Sequence, residues 1–190
     1  MALWRIASAA IFATLAFSCS GSVGNGPPPP PPCDQSCMDA TVLLAVRNAI
    51  KLMYNRTLQG KPVGMQDQMA PCPLGGTAHV TGTATSNANQ GTTSVELTYA
   101  FESCAYSATD TDPNQTFAIT LTGSIIESGI LSEQPSSTTA LQFQSASVTV
   151  TGTVYTPPIH YEADACALDL GQNGNGVSGT LCGRMAGVVL

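Results

Sequence analysis

The sequence predicts an α+β domain in which one long N-terminal amphipathic helix packs on a curved antiparallel sheet of about seven or eight strands, stapled by disulfides. Three observations carry this expectation. One segment, residues 37 to 58, places its apolar residues at helical spacing. From Thr77 onward apolar residues alternate with hydroxyl and acidic ones, the pattern of antiparallel strands with one buried and one wet face. Six cysteines between Cys33 and Cys182 show neither CxxC pairs nor Cys/His clusters, so they read as three bridges of an oxidising compartment and not as a zinc site.

Near its start the chain carries Arg5, an apolar run from Ile6 to Phe17 and small residues before Cys19, which is the composition of an export signal over residues 1 to 18. The run is short of the roughly 20 residues a membrane-spanning helix needs. Leu15, Ala16, Phe17, Ser18 and Cys19 (LAFSC) resemble the cleavage box of bacterial lipoproteins. That resemblance implies that Cys19 becomes a lipidated N-terminus and anchors the protein to a membrane of the cell envelope, with Ser20 pointing to the outer membrane. Ala16-Phe17-Ser18 also satisfies the small-x-small rule of ordinary secretion, so a freely secreted protein is the alternative. The count of seven cysteines favours the anchor, because lipid on Cys19 accounts for the odd thiol.

Residues 19 to 32 form a tether: the lipidated cysteine, a Gly/Ser part and six prolines. As polyproline II those prolines would span roughly 19 Å; a plain disordered linker fits the same residues. A single domain is expected over residues 33 to 190. Ser36 with Asp39 is a capping-box-like pair before the helix. Val42, Leu43, Val46, Ala49, Ile50 and Met53 then form the apolar stripe, and Arg47, Asn48, Lys51 and Asn55 the polar one. A core-covering role for this helix outweighs a membrane-surface role, since a sheet follows that needs a cover.

Residues 60 to 76 read as a Gly/Pro-rich connection, and the rest as strand and turn. Val80, Leu97, Tyr99, Phe101, Ile119, Leu121, Val148, Val150, Val177 and Leu181 mark the inward phase, with weaker strands near 128 to 132, 138 to 146 and 159 to 170. Gly82, Gly123, Gly152 and Gly179 fall in that same phase, each between hydroxyl residues. A glycine there leaves a dent, admits another backbone or lets the sheet bend. If the strands are neighbours the dents form an apolar groove, filled by Val42, Val46, Ala49 and Met53 or left open for an apolar ligand. GQNGNG at residues 171 to 176 signals a hairpin centred near Gly174, which sets Cys166 opposite Cys182. Cys33, Cys37, Cys72 and Cys104 can pair in three ways, of which a staple from Cys33 or Cys37 to Cys72 or Cys104 is preferred.

From Pro71 onward nine acidic residues (Glu96, Glu102, Asp110, Asp112, Glu127, Glu133, Glu162, Asp164, Asp169) face one basic residue, Arg184. That balance excludes nucleic-acid binding, which needs clustered Lys and Arg. No cofactor is implied. His160, Glu162 and Asp164 share one face of a strand and are a weak metal candidate. Asp110, Asp112 and Asn114 open like a calcium loop but Gln115 and Leu121 stand where glycine and glutamate belong, so a polar turn is the better reading. GVSGT at 176 to 180 is not a hydrolase elbow, and His79 and His160 have no visible catalytic partner. The expected function is a lipid-anchored envelope binding or structural module without enzymatic activity, meeting a protein or glycan through its hydroxyl-rich face. A carrier of an apolar ligand or lipid is the alternative, and a metal-dependent or serine hydrolase the third.

Overall fold

The computed structural model describes residues 32–61, 63–87, 89–132 and 138–190. The export segment, Cys19 and the tether up to residue 31 lie outside the described residues, as does Glu133. The helix α1 spans Gln35–Thr57. Eight strands follow: β1 Gly64–Pro71, β2 Thr77–Asn87, β3 Thr92–Ala108, β4 Phe117–Ser132, β5 Ala140–Val154, β6 Ile159–Asn173, β7 Gly176–Leu181 and β8 Arg184–Val189. They form one sheet in chain order, each strand antiparallel to the next. A short 3-10 turn, Pro113–Gln115, joins β3 to β4.

The helix starts two residues before the expected position. Its N-cap is Asp34, whose side chain accepts from the Cys37 amide at 2.9 Å, so the Ser36–Asp39 pair is not the cap. Asp39 is instead buried inside the domain. The helix is also less one-sided than its apolar spacing suggests. Leu44, Ala45 and Arg47 are buried along with Val42, Leu43, Val46, Ile50 and Met53, and Lys51, Asn55 and Arg56 face solvent. Arg47, expected on the polar side, sits one turn after Leu43 and three residues before Ile50, which is the inward stripe.

α1 touches β1, β2, β4, β5, β7 and β8. The core lies between α1 and the sheet: Tyr99, Phe143, Leu97, Leu121, Ile125, Leu141, Leu168 and Leu170 are all almost fully buried. Hydrogen bonds fix the helix to this wall. Tyr106 Oη donates to the Ala45 carbonyl, Thr41 Oγ1 to the Asn114 carbonyl at 3.0 Å, and Arg56 Nη1 to the Pro71 carbonyl at 2.8 Å.

Three departures from the expected strands have local causes. The connection before Gly76 contains β1, whose Gln66 and Ala70 are buried in period-four spacing while Met65 and Met69 stay exposed. The strand holding Val177 and Leu181 is not the last, because Cys182 and Gly183 have φ of 53° and 74° and turn the chain as a two-residue hairpin from β7 into β8. The weaker segments are continuous with their neighbours: β4, β5 and β6 run 16, 15 and 15 residues, with the alternation displaced by irregularities at Gly123/Ile126 and Ser145/Val148.

Candidate functional site

The four glycines are on the inward phase, opposite large buried residues: Gly82 pairs with Leu97, Gly123 with Phe101 and Val148, Gly152 with Ile119 and Tyr161, and Gly179 with Leu170. They do not act as an open groove. A Cβ on Gly82 would lie 2.1 Å from the Glu96 carbonyl oxygen, and one on Gly179 2.1 Å from that of Asp169, with φ of 127° and 152°. Gly123 and Gly152 meet the carbonyls of Ser147 and Ala118 in the same way. The space a side chain would take belongs to the neighbouring strand, so glycine permits that strand's close approach, and the dents expected from the missing side chains are already filled by backbone.

The bridges are Cys33–Cys37, Cys72–Cys104 and Cys166–Cys182. Cys166 and Cys182 face each other across the β6–β7 hairpin. The preferred staple between the helix start and the sheet does not form: Cys33 and Cys37 lie about one helical turn apart at the N-terminus of α1 and close on each other, and Cys72, just past β1, meets Cys104 in β3. His160 Nε2 lies 3.8 Å from Glu162 Oε2, both exposed, but Asp164 turns to Thr149, whose Oγ1 donates to it at 2.9 Å. The three are thus not drawn together, and no cluster of three metal-ligating side chains occurs among the described residues. Asp112 caps the turn Pro113–Gln115, and Asp110 accepts from the Asp112 amide, which closes that loop on itself. His79 is engaged by Asp67, Nε2 to Oδ1 at 2.6 Å, on exposed strand surface.

Two polar groups inside the domain were not singled out by sequence reasoning. The first joins α1 to the sheet at Asp39, which is 1 % exposed. Arg184 donates to both its oxygens, Tyr161 Oη donates at 2.7 Å and Gln35 Nε2 at 3.0 Å. Burial works to raise the Asp39 carboxyl, but these bonds outweigh it and hold the group below the ordinary range. The second centres on Arg47 and Glu127, 7 % and 3 % exposed. Arg47 Nε donates to Gln172 Oε1 at 2.5 Å and its guanidinium lies 5.5 Å from the centre of the Phe143 ring. Glu127 accepts from Tyr99 Oη at 2.6 Å. Burial pushes the Glu127 carboxyl up and the Arg47 guanidinium down, and each charge partly restores the other.

These residues border a cleft of ≈ 600 Å³ whose lining includes Arg47, Lys51, Tyr54, Glu127, Thr139 and Gln172. A second cleft of ≈ 630 Å³ shares Tyr54, Asn55, Leu131 and Ser132 with it. A signal for both polar groups exists in the sequence. Glu127 continues the inward phase of Leu121, Gly123 and Ile125, Gln172 that of Leu168 and Leu170, and Asp39 and Arg47 that of Leu43 and Ile50. Polar residues in an apolar phase mark buried networks or sites. Among the described residues no helix is long and apolar enough to cross a membrane. No known protein family matches the chain, and comparison with curated proteins and with solved structures finds no match to either.

Proposed function

We propose that this chain is a lipid-anchored module of the bacterial cell envelope, held to a membrane through lipid on Cys19, that binds or supports a protein or glycan and carries out no reaction. In this reading α1 is the amphipathic cover of a curved sheet, with Lys51, Asn55 and Arg56 along its solvent stripe. The observation that carries it is the filling of the inward side of the sheet: Val42, Leu43, Ala45, Val46 and Met53 are each 0 % exposed. A carrier of an apolar molecule needs a vacant apolar cavity there, whereas the ≈ 600 Å³ cleft is bordered by Arg47, Lys51, Glu127 and Gln172. Away from the core the strands present Thr83, Thr85, Ser94, Glu96, Thr122 and Ser124 to solvent, a hydroxyl-rich and acidic surface suited to polar contacts and unsuited to nucleic acid.

The test is fractionation of cells that express the full chain or Cys19→Ser. The parent should sediment with membranes and the variant should appear in the soluble fraction; equal membrane retention rejects lipidation at Cys19. Native mass spectrometry of the detergent-extracted protein then asks about cargo. A co-purifying lipid beyond the covalent anchor would replace the module reading with transport.

A further inference from the structure

The two buried polar groups differ in one respect. At Asp39 the charge is closed off: four hydrogen bonds from Arg184, Tyr161 and Gln35 use its oxygens, and Arg184 pairs with it directly. At Arg47 and Glu127 two opposite charges are buried without touching. The ion pairs within 4.0 Å among the described residues are His79–Asp67, His160–Glu162 and Arg184–Asp39, so Arg47 and Glu127 stand further apart than that. Removing each charge from water costs several kcal/mol, which direct contact would offset best. A separated pair on the wall of one cleft leaves that compensation to whatever occupies the cleft.

The open valences support this. Arg47 spends Nε on Gln172 and sets its guanidinium over the Phe143 ring, and its two Nη nitrogens donate to no described residue. Glu127 takes Tyr99 on Oε2, and Oε1 accepts from no described residue. Among the described residues no fully buried side-chain nitrogen or oxygen is without a partner, so these free atoms are not sealed off, and both residues line the cleft. Lys51, exposed and in no ion pair among the described residues, adds a second cation to the lining. Gln172 and Phe143 hold the guanidinium, whose two remaining Nη nitrogens can donate to a carboxylate at two points.

We propose that this cleft binds a small carboxylate that also carries a hydrogen-bond donor, with the carboxylate on Arg47 and Lys51 and the donor on Glu127. Amino acids and hydroxy acids share that chemistry. A phosphate ester would bring a second negative charge beside Glu127, and an apolar molecule would leave both buried charges uncompensated. The inference does not rest on the membrane anchor, and the fractionation of Cys19→Ser is read independently of it.

Isothermal titration calorimetry on the detergent-solubilised full chain tests the proposal with glycine and L-alanine, lactate and gluconate, propionate as a carboxylate lacking the donor, and ethanolamine as a donor lacking the carboxylate. One of the first two classes should bind at least about tenfold more tightly than propionate and ethanolamine, the loss expected for one missing charge-assisted bond. The class that binds names the source. Lys51→Gln, on exposed surface, should weaken binding about tenfold without altering thermal stability. Glu127→Gln should abolish the preference over propionate. No binding by either class, or an affinity for it unchanged in Lys51→Gln or a preference unchanged in Glu127→Gln, overturns the proposal.

Discussion

Arg184, the first residue of β8, closes on Asp39 of α1 through two bonds, Nε to Oδ2 at 2.7 Å and Nη2 to Oδ1 at 2.8 Å. The pair spans 145 residues and ties the last strand to the helix that opens the domain. Its carboxylate is buried while the guanidinium is partly open, 42 % exposed in its side chain. Arg184→Met leaves Asp39 with Tyr161 and Gln35 alone. Breaking a fully buried pair costs 3–5 kcal/mol, and the exposure of Arg184 lowers the expected loss to about 2 kcal/mol. The shift in urea midpoint at unchanged slope measures it.

Asp39 and Glu127 predict opposite limbs of a pH profile. The folded pKa of Asp39 lies below its ordinary 3.8, so its contribution is present above that value and is lost as pH falls through the folded pKa. The folded pKa of Glu127 lies above its ordinary 4.5, so the folded chain binds the proton more tightly; stability is fullest below 4.5 and declines as pH rises through the raised pKa. Melting temperature against pH should therefore peak in the weakly acidic range. Glu127→Gln should flatten the decline on the alkaline side, and Asp39→Asn should flatten the acid limb while lowering stability at neutral pH.

The three bridges should differ in worth according to the chain they close. Separations of 32, 16 and 4 residues for Cys72–Cys104, Cys166–Cys182 and Cys33–Cys37 correspond by loop entropy to about 3.7, 3 and 2 kcal/mol. Replacing each pair by serines, one pair at a time, should lower the denaturation midpoint in that order. An equal effect of the Cys33–Cys37 pair would mean that it does more than constrain the unfolded chain.

Gly179→Ala places a methyl group against the Asp169 carbonyl at a φ of 152° and should cost about 2–4 kcal/mol. Gly171→Ala is the control. Its Cβ would be 3.4 Å from the flexible Gln142 side chain and its φ is unexceptional, so circular dichroism melting should be within about 0.5 kcal/mol of the parent.

The order of elements was readable because each writes a period into the chain. Helical spacing marked α1 and strict alternation marked β2, β3 and the Cys166–Cys182 hairpin, whose turn residues fix its centre. β1 escaped notice because Met65 and Met69 face solvent while Gln66 and Ala70 face the core, so its hydrophobic phase is inverted. The candidate site is hidden for the opposite reason: Arg47, Glu127 and Gln172 are polar residues in apolar phases, and residue type alone places them at the surface.

Sequence by itself determined that one helix precedes an antiparallel sheet, that glycine recurs on the inward phase and that the cysteines number enough for three bridges, since each of these is a matter of residue type and local period. Tertiary structure alone decided which charges meet. Arg184 reaches Asp39, Arg47 stands apart from Glu127, Cys72 finds Cys104, and the inward glycines are covered by the next strand's backbone. These depend on how α1 and the eight strands pack together, a property set by summed strand twist and packing across distant parts of the chain, which no local period records.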